Sequence, residues 1–268
     1  MITMAVIITG ASRGVGAALA ERLICDGHTV YSFSRTAPSD PRIGHIYCDV
    51  SDRGSIEDAF TEFFEKETRI DILVNNAGIG ISGAAEYAKE EHVKEIFDVN
   101  FHGAALCSQL AIPRMREQGG GRIVFVSSAM AIFSIPFQSF YTATKSALLT
   151  FSEGLRMELM PFNIQVGSVL LCDTRTDFTM NRKKDGTGEE FYGKRIERSV
   201  STMEQDEQNG MGADKAADSI ARYLSRKRMK GYKAVGSEFK VPLIVLIFLN
   251  KILPRRWVLG IIYRIYGK

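Results

Sequence analysis

Tyr141 and Lys145 stand four residues apart, a spacing that puts both on one face of a helix. A tyrosine hydroxyl ionises near ~10 and is a poor base at neutral pH. An ammonium beside it favours the phenolate, and the pair can then exchange a proton with an alcohol or carbonyl oxygen. Ser128 lies thirteen residues upstream, just after an apolar run. Its hydroxyl could hydrogen-bond the same oxygen and steady the charge developing there. A Tyr/Lys pair alone is more often a surface pair, so the chemistry needs a second site that supplies or removes a hydride.

The segment Thr9-Gly10-Ala11-Ser12-Arg13-Gly14-Val15-Gly16 offers that site. Its glycines let the backbone approach a pyrophosphate, and the helix that follows presents unpaired N–H groups at its start. A tight strand-to-helix turn would need similar glycines, so the next positions matter. In dinucleotide folds an acid near the end of the second strand holds the ribose 2′-hydroxyl. Here that strand ends Ser32-Phe33-Ser34-Arg35, with no acid. Arg35 and Arg13 can instead neutralise a 2′-phosphate, which favours NADP(H) over NAD(H).

These residues need a frame. Short apolar runs at Ala5–Thr9, Thr29–Ser34, His45–Cys48, Ile72–Asn75, Ile123–Ser127 and Gln165–Leu171 alternate with helical patterns at Gly14–Asp26, Ser55–Lys66 and Tyr141–Leu159. The alternation predicts an α/β fold, a Rossmann-like doubly wound parallel sheet flanked by helices. A further helix is expected over Asp214–Ser225 and a last strand near Lys233–Val235. Residues 177–212, centred on Arg182-Lys183-Lys184-Asp185-Gly186, are polar and read as a long irregular lid or a disordered stretch. One dinucleotide-binding and catalytic domain (1–239) followed by an apolar, basic tail (240–268) is expected.

The chain has 268 residues and 45% apolar composition, which suits a globular domain. Four cysteines and four histidines are scattered without metal-ligand spacing, so no metal site is expected and a reducing cytoplasm is the simplest setting. The first residues carry no secretory pattern. Residues 226–268 hold eleven Lys/Arg and one acid, Glu238, while residues 1–225 hold 23 basic and 30 acidic residues. A basic tail on an acidic body argues against nucleic acid as partner.

Taken together, residues 3–176 resemble the short-chain dehydrogenases/reductases. Residues 9–16 look like that family's cofactor loop, Asp49-Val50 like its adenine-contacting pair, and Asn75-Asn76-Ala77-Gly78 like its N-N-A-G motif. Asn100 is similar to the helix asparagine of its proton relay, and Ser128, Tyr141 and Lys145 to its catalytic serine and Y-x-x-x-K pair. The resemblance implies that Lys145 also binds the nicotinamide ribose, that Thr176 bonds the carboxamide, and that the protein is a homo-oligomer, a dimer or tetramer. Leu171-Cys172 departs from the family's Pro-Gly at that point.

The substrate side should include Ser128, Tyr141, Met130, Phe133 and Phe137, with Ile132 and Ile135 nearby. Their apolar character points to a bulky ketone, aldehyde or alcohol of steroid, retinoid or lipid type. A small-carbonyl reductase and a catalytically silent NADP(H)-binding sensor or scaffold are the competing readings. The tail from Val241 has two apolar stretches broken by Asn250, Lys251 and Pro254-Arg255-Arg256-Trp257, each too short to span a bilayer. It suits a membrane-surface segment of a peripherally bound protein, an oligomer contact or a pocket flap.

Overall fold

The computed structural model of the protein describes residues 3–185, 188–238 and 241–268. Its central strands are β1 (Ala5–Thr9), β2 (Thr29–Ser34), β3 (Gly44–Tyr47), β4 (Ile72–Asn75), β5 (Gly121–Ser128), β6 (Ile164–Leu171) and β7 (Tyr232–Val235). Among the described residues these form one parallel sheet in the order β7-β6-β5-β4-β1-β2-β3. The strand order reverses between β1 and β4. In an open parallel sheet that switch leaves a crevice at the carboxyl ends of the strands, where ligands bind.

Both faces of the sheet are covered, which is why its strands read as continuous apolar runs. Along β1, Ala5 and Ile7 point to one layer while Val6 and Ile8 point to the other. The first layer holds α2 (Arg53–Lys66), α4 (Gly103–Glu117) and α5 (Ser139–Leu159), packed through Phe60, Phe63, Met115 and Leu155. The second holds α1 (Gly14–Cys25) and a helix over Ala213–Leu224, through Leu19, Leu23, Ile220 and Leu224. Between α3 (Glu90–Phe97) and α4 the chain makes a π-helical turn, Asp98–His102. Such insertions are rare and often mark functional positions; this one holds Asn100, which is buried.

Residues 177–212 are more ordered than the sequence reading allowed. Lys183–Asp185 pairs in parallel with Ile81–Gly83, and α6 spans Arg195–Asn209. The α6 sequence is mostly polar because only a narrow stripe, including Val200 and Met203, is buried. Gly186, part of the expected lid centre, lies outside the described residues, as does the expected domain boundary at 239–240.

After α7 (Ala213–Leu224) the tail forms two helices, α8 (Leu243–Ile252) and α9 (Arg255–Tyr266). Ile247 of α8 packs against Ala129, Leu149, Leu170 and Cys172. Val258, Ile262 and Tyr266 of α9, spaced four apart, pack against Ile135 and Met203. Each such side chain, once fully buried, contributes about 1.5–3 kcal/mol. Tyr266 also donates a hydrogen bond to Asp206 (2.9 Å), and Arg195 donates to the carbonyl of Gly267 (2.8 Å). Among the described residues no helix is long and apolar enough to cross a membrane.

Candidate active site

The loop between β1 and α1 is shaped by backbone that only glycine tolerates well. Gly10 and Gly14 have φ of 68° and 60°, in the left-handed region. A Cβ on Gly16 would stand 2.5 Å from Asn76 Nδ2 and 2.6 Å from the Gly10 carbonyl. Asn76 clamps the loop from the end of β4. Its amide donates to the carbonyls of Thr9 (3.0 Å) and Gly10 (3.1 Å), while the Thr9 hydroxyl accepts from the backbone N–H groups of Asn76 and Ala77. Arg13, the residue before α1, makes no side-chain cap. That side chain leaves the first N–H groups of the helix uncapped, as a pyrophosphate cradle requires.

At the end of β2 the Ser34 hydroxyl donates to the Thr36 carbonyl (2.8 Å). Arg13 and Arg35 are both exposed, and Arg35 lies 3.7 Å from an Asp49 carboxylate oxygen. Burial raises the Asp49 carboxyl, but hydrogen bonds from Ser51 and the Arg35 charge outweigh it and hold the group below its ordinary value.

Farther along the crevice, β5 carries Ser128 and α5 carries Tyr141 and Lys145. The Ser128 hydroxyl accepts from the Met130 N–H at 3.1 Å, and Ser128 acts to lower Tyr141. Lys145 is buried and donates to the Val126 carbonyl at 3.0 Å. Behind it, Asn100 accepts from the Ile79 N–H (2.8 Å) and donates to the Ile79 carbonyl and the Thr144 hydroxyl. Gly78 separates the two groups. A Cβ there would meet Asn100 Oδ1 at 3.3 Å and Lys145 Nζ at 3.4 Å.

Burial pushes Tyr141 up to about 12, Glu207 adds to the rise, and the Ser128 hydrogen bond and Arg182 only partly oppose it. The sequence reading expected the neighbouring lysine, together with a bound nicotinamide ring, to lower this group; in the chain alone burial dominates and raises it. Burial likewise brings Lys145 down to about 8.

Each residue expected at the cofactor, from Gly10 through Arg35, Asp49, Val50, Ala77 and Gly78 to Thr176, lines one cavity of about 750 Å³. Ser128, Tyr141, Lys145 and Met130 line it too. Asn100 stands behind it. Thr176 sits across from the loop, where a Cβ on Gly14 would meet its side chain at 3.6 Å. Leu171 and Cys172 also reach the wall, and the Cys172 N–H donates to the Val235 carbonyl (3.0 Å).

Two expected substrate residues stand apart. Phe133 packs among the clusters beneath the tail helices. Phe137 is buried at φ 62° with its ring against Tyr192 at 5.6 Å. Neither lines the cavity, because the turn after β5 directs Met130 and Ile135 there instead.

Other wall residues come from the 177–212 segment, expected as a lid, and from the tail, for which a pocket flap was one reading; the sequence reading named none of them individually. Phe178 lies 5.8 Å from the Tyr141 ring. Met203 and Glu207 come from α6, and Tyr266 from α9. The helical spacing of Val200, Met203 and Glu207 was the available signal. Glu207 accepts from Thr179 and from Arg182, whose side chain is almost wholly buried.

Comparison with known proteins agrees with this geometry. The short chain dehydrogenase family profile matches residues 4–187. The chain is 36% identical to the 3-ketodihydrosphingosine reductase of Bacteroides thetaiotaomicron, covering 91% of this chain and 90% of that protein. Its fold superposes on a short-chain dehydrogenase from Streptomyces avermitilis with a TM-score of 0.82 and 28% identity, over 96% of this chain and 95% of the other. A 3-ketoacyl-(acyl-carrier-protein) reductase from Brucella melitensis complexed with NADH gives 0.73 and 25%, over 87% and 95%. The chain therefore belongs to the short-chain dehydrogenase/reductase family of oxidoreductases.

Proposed function

We propose that the protein is an NADP(H)-dependent reductase that converts the ketone of a bulky, lipid-like substrate to an alcohol, with Tyr141 as proton donor. The observation that carries this reading is the meeting of Ser128, Tyr141 and Lys145 on the wall of the cavity that also holds the glycine loop. When bound, the reduced nicotinamide supplies the hydride. The glycine loop and the start of α1 would hold its pyrophosphate, and Lys145 its ribose. Arg13 and Arg35 would hold the 2′-phosphate, since exposed guanidiniums are free to turn toward it.

The protein's own chemistry is proton delivery. Ser128 would donate to the carbonyl oxygen while Tyr141 releases its proton to that oxygen as negative charge develops. A hydroxyl held at about 12 remains protonated and suits the reductive direction. The buried Lys145 ammonium offsets the phenolate charge formed by that transfer.

Met130, Ile135, Phe178 and Met203 give the far end of the cavity an apolar lining, which supports a long-chain substrate. The Bacteroides relative's name supplies a concrete candidate, 3-ketodihydrosphingosine, an amino ketone on a long alkyl chain. Glu207, on the same wall, would accept from such an ammonium group. A cytoplasmic homo-oligomer belongs to the same reading.

The test is NADPH oxidation against a panel running from small ketones to long-chain 2-amino ketones. Turnover that rises with chain length supports the reading. Turnover confined to small polar carbonyls overturns the substrate class, and NADPH binding without turnover of any member points to a sensor.

A further inference from the structure

The tail helices have two faces. The buried face of α9 packs through Val258, Ile262 and Tyr266, and Tyr266 lines the cavity. The other face is apolar and uncovered. Ten of the sixteen large apolar side chains exposed among the described residues lie on α8 and α9, between 36% and 61% accessible, with Phe248, Ile252, Trp257 and Ile261 foremost. Scattered exposed apolar residues are ordinary, but a contiguous set of this kind marks an interaction site.

Charge identifies the partner. Residues 241–268 carry Lys251, Arg255, Arg256, Arg264 and Lys268 and no acid. All five are exposed, and among the described residues none forms an ion pair. A second copy docked face to face would bring these cations against five more, with nothing to neutralise either set. An anionic surface neutralises all of them.

Helix length adds a constraint. At ten and twelve residues, α8 and α9 fall well short of the ~20 needed to span a bilayer, so they can only lie in its surface. Trp257 and Tyr263 are exposed beside the cations, the combination that settles at the headgroup level.

We propose that α8 and α9 dock the protein in the plane of an anionic lipid bilayer, their outer faces in the headgroup region and Tyr266 of α9 still lining the cavity. The surface itself does not depend on the enzymatic reading. The further consequence, that docking brings a lipid-like ketone close to the cavity, does rest on it.

Trp257 is the chain's one tryptophan, so its emission reports this face directly. The experiment titrates the full chain, without substrate, with vesicles of phosphatidylcholine alone or mixed with phosphatidylglycerol. A blue shift and protection from iodide quenching are expected with the anionic vesicles and not with the neutral ones, weakening as salt is raised. Phe248→Glu and Ile261→Glu change exposed positions and should each weaken the partition about tenfold or more, with circular dichroism and NADPH binding unchanged.

An emission that anionic vesicles leave unaltered overturns the proposal. So does an equal response to neutral vesicles, or a blue shift that appears on concentrating the protein without lipid, which would identify a second copy as the partner. Because vesicle binding is read without turnover, its failure is distinct from failure of the reductase reading.

Discussion

The Lys145 ammonium donates to the Val126 carbonyl at 3.0 Å and stands 5.7 Å from the centre of the Tyr141 ring. The lysine is thus fixed by the backbone of β5, and in the proposed reaction its charge would act on the tyrosine. Its burial sets the range in which that charge is present.

Since Lys145 is brought down to about 8, it is cationic below that pH and neutral above it. Its charge opposes the cost of forming the Tyr141 phenolate. Reduction should therefore hold steady through neutrality and fall by about tenfold per pH unit beyond about 8. Tyr141, at about 12, adds no limb at lower pH. A kcat/KM profile for ketone reduction checks this, and a rate that keeps rising through pH 8 would contradict the role given to Lys145.

Arg35 is mostly exposed, and its contact with Asp49 at 3.7 Å is of the kind worth about 0–1 kcal/mol. It is free to turn toward a 2′-phosphate. Replacing Arg13 and Arg35 together by alanine should weaken NADPH binding by roughly tenfold or more per lost charge-assisted contact and leave NADH little changed. Parallel fluorescence titrations with the two cofactors measure this. Equal losses would remove the phosphate role.

Gly16 has no room for a side chain between Asn76 and the Gly10 carbonyl. Gly16→Ala should cost about 1–3 kcal/mol, the usual range for overpacking, and should weaken cofactor binding because the clamped loop must shift. Urea denaturation and NADPH titration of the same variant read the two effects. Full stability with unaltered affinity would show that the loop accommodates the methyl.

Glu207, on the cavity wall, accepts from Thr179 and Arg182 behind it and raises Tyr141. Glu207→Gln removes the nearer of two carboxylate charges beside the buried Arg182 guanidinium, with Glu204 remaining at 3.9 Å, and should destabilise the protein by about 1.5–3 kcal/mol. If Glu207 also receives a substrate ammonium, KM should rise for a long-chain 2-amino ketone and stay level for its analogue without the amine. Equal changes for both substrates would leave Glu207 a positioning residue only.

The sheet and the juxtaposition of Tyr141 and Lys145 were legible in the sequence for a physical reason. Strands buried on both faces, such as Ile72–Asn75, become uninterrupted apolar runs, and Tyr141 and Lys145 inherit their relation from one helix. The far side of the cavity was harder to read. α6 buries only Ser199, Val200 and Met203, so its polar sequence resembled a loop. Phe133 and Phe137 had the composition of pocket residues, but tertiary packing turned them toward the tail helices and Tyr192. The tail's apolar runs were visible, whereas its division into a face that packs inward and a face left exposed required the fold. Lys145 could be paired with Tyr141 by spacing, yet the burial that raises the tyrosine could not be read from either residue.

The most direct test of the account compares wild-type protein and Tyr141→Phe in NADPH oxidation driven by a long-chain 2-amino ketone, with NADPH affinity measured on both. The account predicts that the wild type turns over, that the variant loses about 10²–10⁴-fold in rate, and that both bind the cofactor equally well. A variant that reduces the ketone as fast as the wild type would contradict it.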